Sequence, residues 1–206
     1  MSVHSKGFSL IEIAIALAVL GILIAAGIPS LRLWVQSAQV RGAAESIQNG
    51  LQLARAEAVR RNVNVRFQLT TSIDASCTIS TTGANWVVSL ADPTSACATF
   101  ANETSTTGVI QARSNREGSP NAVVSSPAQA AIFFNGLGRQ ASGTVTTGVT
   151  TPNPTVPVTI GITNPTGGSC STGTSNGIRC MNVVVSTGGN IRMCDPVLSS
   201  SDPQGC

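Results

Sequence analysis

Between positions 8 and 28 the chain is almost wholly Leu, Ile, Ala, Val and Gly, broken only by Ser9 and Glu12. A run of this length predicts a helix able to cross a bilayer. About 20 apolar residues cover the hydrocarbon thickness, and a helix satisfies its own backbone hydrogen bonds there. Pro29 closes the run and predicts a helix kink or a change of surroundings. The pattern then changes. Val40, Ala44, Ile47, Leu51, Ala54 and Ala58 recur at spacings of three and four, the mark of one buried helix face. Arg41, Glu45, Gln48, Gln52, Arg55 and Glu57 fill the other positions, and Glu57 and Arg61 form an i,i+4 pair in the favourable order. The two stretches read as one helix over 8–61, half membrane-facing and half domain core.

Beyond Asn62 the period drops to two. Val63, Val65, Phe67 and Leu69 alternate over 63–69, and further strand-like runs fall at 86–90, 109–112, 130–134, 156–162 and 181–185. Thr187-Gly188-Gly189-Asn190 reads as a hairpin turn joining 181–186 to 191–194. Residues 142–156 and 163–179 are punctuated by glycine and proline and read as surface loops. No internal repeat is present. The sum is an α+β domain, a long N-terminal helix laid against antiparallel sheets.

Composition sharpens this in two ways. Charged residues are only 10% of the chain, tyrosine is absent, and Gly 20 and Pro 10 supply many turns. Such a polar but uncharged chain with recurrent Val and Ile reads as an exported β-rich domain and not as a disordered one. The net charge of +3 carries no implication of nucleic acid by itself. The six cysteines, Cys77, Cys97, Cys170, Cys180, Cys194 and Cys206, contain no Cys-x-x-Cys pair, and His4 is the only histidine. This set argues against zinc and for disulfides in an oxidising compartment. Six cysteines allow 15 connectivities, among which the sequence does not choose. The expectation adopted is sequential pairing, Cys77–Cys97, Cys170–Cys180 and Cys194–Cys206.

Three readings compete for the N-terminal segment: a secretory signal peptide cleaved after the small residues Ala25-Ala26-Gly27, a plain anchor, or a processed leader. Glu12 favours the last. An ionisable group in a membrane segment costs at least about 2.5 kcal/mol and is usually functional. A signal peptide gains nothing from it, although near one end of the run it could snorkel to the headgroups.

The segment Gly7-Phe8-Ser9-Leu10-Ile11-Glu12 resembles the prepilin peptidase motif of type IV pilins and type II secretion pseudopilins. The resemblance implies cleavage after Gly7 and N-methylation of Phe8. It also implies an assembly role for Glu12, pairing with the N-terminal amine of a neighbouring subunit. The physics agrees, since a paired buried charge is far cheaper than a lone one. Pro29 falls where that family has its helix-bending proline. The run Leu53-Ala54-Arg55-Ala56-Glu57-Ala58-Val59-Arg60-Arg61-Asn62 is similar to the A-R-x-E-A-x-x-R-N helix end of the GspH/FimT group of minor pilins and pseudopilins.

That resemblance raises DNA as a partner. FimT-like proteins carry a G-R-x-R motif in the last hairpin, matched here by Gly189-Asn190-Ile191-Arg192. Asn190 replaces the first arginine and releases no counterion, which weakens salt-dependent affinity. Arg179 and Arg139 lie in glycine-rich loops and could supplement Arg192, but solvated loop arginines remain the simpler account. No aromatic in this stretch could stack on bases. The tail ending in Cys206 is similar to that of FimT-like minor pilins, where it closes back on the hairpin.

Catalysis finds little support. No Gly-x-Ser-x-Gly elbow, His-Glu-x-x-His or phosphate loop is present, and the only histidine lies in the leader. Asp74, Asp92, Asp195 and Asp202 sit in turn-like sequence, which accounts for them. The chain is therefore expected to be no enzyme, with no cofactor and no metal. The expected organisation is a leader over 1–7, a transmembrane half-helix over 8–29, an amphipathic half over 30–62 and a periplasmic β-rich domain over 63–206. The expected function is a structural minor pilin near the tip of a type IV pilus. Alternatives are an H-type pseudopilin of type II secretion and a DNA-binding minor pilin of natural transformation. Implied partners are the prepilin peptidase, the inner membrane and other pilins or pseudopilins. Orientation rests on the leader motif, because Lys6 is outweighed by Arg32 and Arg41 on the far side.

Overall fold

The computed structural model describes residues 9–102, 108–126, 129–145, 153–171 and 177–206, the side chains of 26, 27, 29 and 30 excepted. A single helix, α1 (Leu10–Arg61), runs unbroken through Pro29. A proline removes one backbone donor, and the remaining ladder carries the helix across that point. Among the described residues no helix is long and apolar enough to cross a membrane. The span expected over 8–29 lies partly outside the described residues.

The helix ends at Asn62, which adopts the left-handed conformation (φ 52°, ψ 40°) and donates its N–H to Val59 O at 3.4 Å. Asparagine tolerates this conformation, so the helix stops and the chain turns before the first strand. Strand β1 (Val65–Thr70) therefore begins two residues later than the alternation suggested, and Val63 is exposed.

The first sheet holds β1, β2 (Asn85–Ser89), β3 (Val109–Arg113), β5 (Ala131–Phe134) and β6 (Gln140–Ala141) in the order β3-β2-β1-β5-β6. The second holds β4 (Val123–Ser125), β7 (Val158–Thr163), β8 (Met181–Val185) and β9 (Ile191–Cys194) in the order β4-β7-β8-β9. All these pairings are antiparallel. Strands β4 and β6 have no counterpart in the sequence reading; three and two residues are too few to show a period.

Both sheets pack on the second half of α1. Val40, Ala44, Ile47, Leu51, Ala54 and Ala58 are all buried, as the helical period requires. They meet Val65, Phe67, Leu69, Trp86 and Val88 of the first sheet, and Val158, Ile160, Ile162, Val183 and Val185 of the second. Each large side chain so buried contributes about 1.5–3 kcal/mol. The second sheet keeps the clean alternation of a one-sided sheet, with Val158, Ile160 and Ile162 inward and Thr159 outward. The first is covered on both faces. Cys77, Cys97, Val87 and Val109 form a second small core behind it, so all six residues of β1 are buried.

Disulfides join Cys77–Cys97, Cys170–Cys180 and Cys194–Cys206, the sequential arrangement. Closing loops this short contributes on the order of 3 kcal/mol each in the chain-entropy model.

Candidate functional site

Two regions hold the residues the sequence singles out: the exposed first half of α1 and the C-terminal hairpin with its tail. Gly7 and Phe8 lie outside the described residues.

Glu12 sits in the first turn of α1, and its backbone N–H donates to Ser9 O at 3.1 Å. The helix dipole favours a carboxylate there. Around and beyond it Leu10, Ile11, Ile13, Ile15, Leu17, Leu20, Leu23 and Ile24 are all exposed. A helix apolar on every side needs lipid or other helices around it. Glu12 is the only carboxylate in that surface.

Where α1 reaches the domain it is held by polar contacts. Gln36 Nε2 donates to Thr166 O at 3.1 Å, and Asn164 Nδ2 donates to Gln39 Oε1 at 3.2 Å. At its far end Arg55 Nε donates to Gly138 O at 3.0 Å, beside the turn that precedes β6. Glu57 accepts from Arg61 Nε at 2.8 Å and from Arg60 Nη2 at 2.8 Å. The hydrogen bond from Arg60, then that from Arg61, holds its carboxyl below the ordinary carboxylate range, against the opposing effect of burial. Within the Ala54–Asn62 stretch Arg55 thus ties the helix end to the turn before β6, Glu57 pairs along the helix with Arg60 and Arg61, and Asn62 ends it.

The hairpin between β8 and β9 closes as the sequence indicates. Gly189 N donates to Ser186 O at 2.8 Å, and Asn190 N donates to Ser186 Oγ at 3.0 Å. Gly189 has φ +82°, and a Cβ there would lie 1.9 Å from Gly138 O. Only glycine lets the two turns meet. This approach brings Arg139 and Asn190 to one end of the domain, both exposed, and Arg139 has no side-chain partner among the described residues.

The other two members of the expected cationic patch are differently placed. Arg179 donates from Nε and Nη2 to the buried carboxylate of Asp195, so its charge is neutralised within the fold. It does not supplement Arg192. Arg192 itself is exposed but leans on the tail, with Nη1 3.4 Å from Gly205 O and Nη2 3.5 Å from Cys206 O. The tail is held there by the Cys194–Cys206 disulfide and by Asp195 N donating to Gln204 O at 2.7 Å. These placements leave a thin cationic surface for a polyanion.

Sequence reasoning missed three features. Asp195 is a buried ion-pair member and not merely a turn former; nothing in a Cys-Asp-Pro stretch signals this. Arg66 is 3% exposed and lies over the Phe133 ring, with its guanidinium carbon 5.1 Å from the centroid. Its period-2 position implied the solvent side, but residues 90–92 and 144–145 border the same pocket. Trp34 is 70% exposed and walls a groove of about 510 Å³ with Ala38, Arg41, Arg179, Met181 and Met193.

Comparison with known proteins follows the same division of the chain. The family model described as Type II transport protein GspH matches residues 43–203, and that of the prokaryotic N-terminal methylation motif matches residues 3–28. No curated protein matches the sequence. Two crystal structures of the type IV minor pilin FimU of Pseudomonas aeruginosa (strain PAO1) are similar to this chain. One is 18% identical at a TM-score of 0.44, covering 81% of this chain and 94% of that one. The other is 16% identical at 0.43, covering 81% and 98%.

Proposed function

The chain belongs to the GspH family of type II transport proteins, and from that premise we propose that it works as a minor pilin of a type IV pilus, near the filament tip. In this role the leader is cut after Gly7 by the prepilin peptidase and Phe8 is methylated. The segment 8–28 holds the protein in the inner membrane until assembly, with the β-rich domain in the periplasm. On assembly the apolar half of α1 enters the filament core among other pilins, and Glu12 is neutralised by a neighbour's N-terminal amine. The role is structural, with no substrate turned over.

The observation that carries this reading is Glu12 in the first turn of a helix that is apolar on all sides and continuous with the domain's core helix. A lone carboxylate there is unfavourable in lipid and becomes favourable only with a cation brought by a partner. The tail closed by Cys194–Cys206 supports the pilus over the secretion machine. A second reading, an H-type pseudopilin of type II secretion, is favoured by the description of the matching family itself.

One deletion strain separates them when scored in parallel for surface pili and twitching, DNA uptake, and exoprotein secretion. Loss of pili with normal secretion supports the minor pilin. Loss of secretion with intact pili replaces it by the pseudopilin. Loss of uptake alone, reproduced by Arg192→Ala, moves the function to DNA capture.

A further inference from the structure

We propose that Trp34 is an interfacial anchor: before assembly its indole sits among the phospholipid headgroups on the periplasmic face, with Arg32, and sets the height of the domain above the bilayer. This rests on the reading of residues 8–28 as the membrane segment.

The geometry of α1 places it there. Within α1, positions 10–28 are 19 residues, or roughly 28 Å of helix at about 1.5 Å per residue, close to a hydrocarbon core of roughly 30 Å. Trp34 lies six residues further on, about 9 Å along the axis. Helical side chains slant back over the turn before them, which brings the indole a few ångströms nearer the hydrocarbon. That is the depth of the headgroup layer, roughly 5–7 Å thick on each side. Tryptophan is the side chain suited to that layer, with an apolar body and one polar N–H.

The surroundings fit the same assignment. Ile28, Leu31 and Val35 form an exposed apolar stripe at three- and four-residue spacing beside Trp34. Arg32 is exposed one residue past Leu31, long enough to reach lipid phosphate while its stem stays on apolar surface. The groove behind Trp34 supplies no competing demand for a ligand. Its cations are already paired, Arg41 with Glu45 at 3.7 Å and Arg179 with Asp195 at 3.0 Å. Beside Ile28, Leu31 and Val35 the indole is the most exposed of these large apolar groups, and its polar end needs water or headgroups.

The chain is built for a direct test. It has two tryptophans and no tyrosine, and the other tryptophan, Trp86, is 2% exposed within the core. The full chain is reconstituted into phosphatidylcholine–phosphatidylglycerol vesicles carrying a nitroxide either on the headgroup or near the acyl-chain end. The emission lost relative to unlabelled vesicles is read for the wild type and for Trp34→Phe. The expected result is quenching by the headgroup nitroxide that exceeds the acyl-chain one and disappears in Trp34→Phe. Retention through carbonate extraction with Trp34 unquenched by either label would overturn this proposal alone. Stronger quenching from the acyl-chain end would also overturn it, by placing Trp34 inside the hydrocarbon. Release by carbonate would overturn the membrane reading, and the anchor with it.

Discussion

Arg179 donates from both Nε (3.2 Å) and Nη2 (3.0 Å) to one carboxylate oxygen of Asp195, whose side chain is 2% exposed against 47% for Arg179. The asymmetry decides which substitution hurts. Arg179→Ala leaves a buried carboxylate whose remaining support is Val197 N–H on the other oxygen at 3.0 Å. The expected loss is about 2–3 kcal/mol, the low end for a broken buried pair because the arginine is half in water. Arg192→Ala, touching only the tail carbonyls at long range, is expected to stay within about 0.5 kcal/mol. Urea unfolding of the oxidised domain reads both. Equal, negligible losses would mean that Asp195 is hydrated and the pair is only a surface contact.

Gly50 is where the helix admits the first sheet. A Cβ there would lie 2.8 Å from the Phe67 ring and 3.1 Å from Trp86, and Trp86 Nε1 is fixed by donating to Ser46 Oγ at 3.0 Å. Gly50→Ala gains about 1 kcal/mol of helix propensity but forces apart two packed rings at a cost of about 1–3 kcal/mol. A net loss in thermal stability is expected. A raised melting temperature would show that the rings can move aside.

The Glu57 carboxyl, held below its ordinary value of 4.5 by Arg60 and Arg61, makes stability depend on pH in a defined direction. The contribution is complete above the ordinary value and is lost as pH falls through the lowered one. Two pairs along one helix, exposed at Arg60 and mostly buried at Arg61, together contribute about 1 kcal/mol. Glu57→Gln should therefore be the less stable protein at about pH 6, with the difference shrinking as pH falls progressively below 4.5. Denaturant midpoints across this pH range check this, and a difference that persists in acid would point to packing instead of charge.

Arg66 and Asp92 reverse the usual expectation that the more buried residue matters more. Arg66 is 3% exposed, 3.6 Å from an Asp92 carboxylate that is 36% exposed, and it donates to Gln68 Oε1. Among the described residues neither Arg66 Nε nor Gln68 Nε2 has a hydrogen-bond partner. Burial pushes the guanidinium pKa down, and Asp92 opposes that. Removing the charge with Arg66→Met leaves a carboxylate that water can reach and costs about 1 kcal/mol, chiefly because the buried Gln68 Oε1 loses its donor. Asp92→Asn keeps an acceptor for the Thr94 N–H but strands a buried cation, with an expected loss of about 2 kcal/mol. Thermal melts that rank the two variants the other way would contradict the electrostatic account.

The helix was legible because its two halves announce themselves by different rules. Near-continuous apolarity, broken only by Ser9 and Glu12, marks residues 8–28, and three-four spacing from Val40 to Ala58 marks the packed face residue by residue. Strands with a solvent side, such as β7, were legible from alternation. Strand β1 was legible only on its Val65–Phe67–Leu69 face. The burial of Arg66, Gln68 and Thr70 depends on loops folding back across the sheet, which local pattern does not encode. The hairpin at Gly189 followed from turn chemistry. That the same glycine admits Gly138, and that Arg179 is tied to Asp195, are relations between segments far apart in the chain, invisible until the sheets are assembled.

The central claim is that the first helix is kept in the mature protein and enters a filament core. Intact-mass and N-terminal analysis of the protein recovered from its own membranes tests this most directly. The expected result is a chain that begins at N-methylated Phe8, seven residues shorter than the precursor. A mature chain beginning at Ile28 or later would contradict it, since Glu12 and the apolar helix would then have been discarded with a signal peptide.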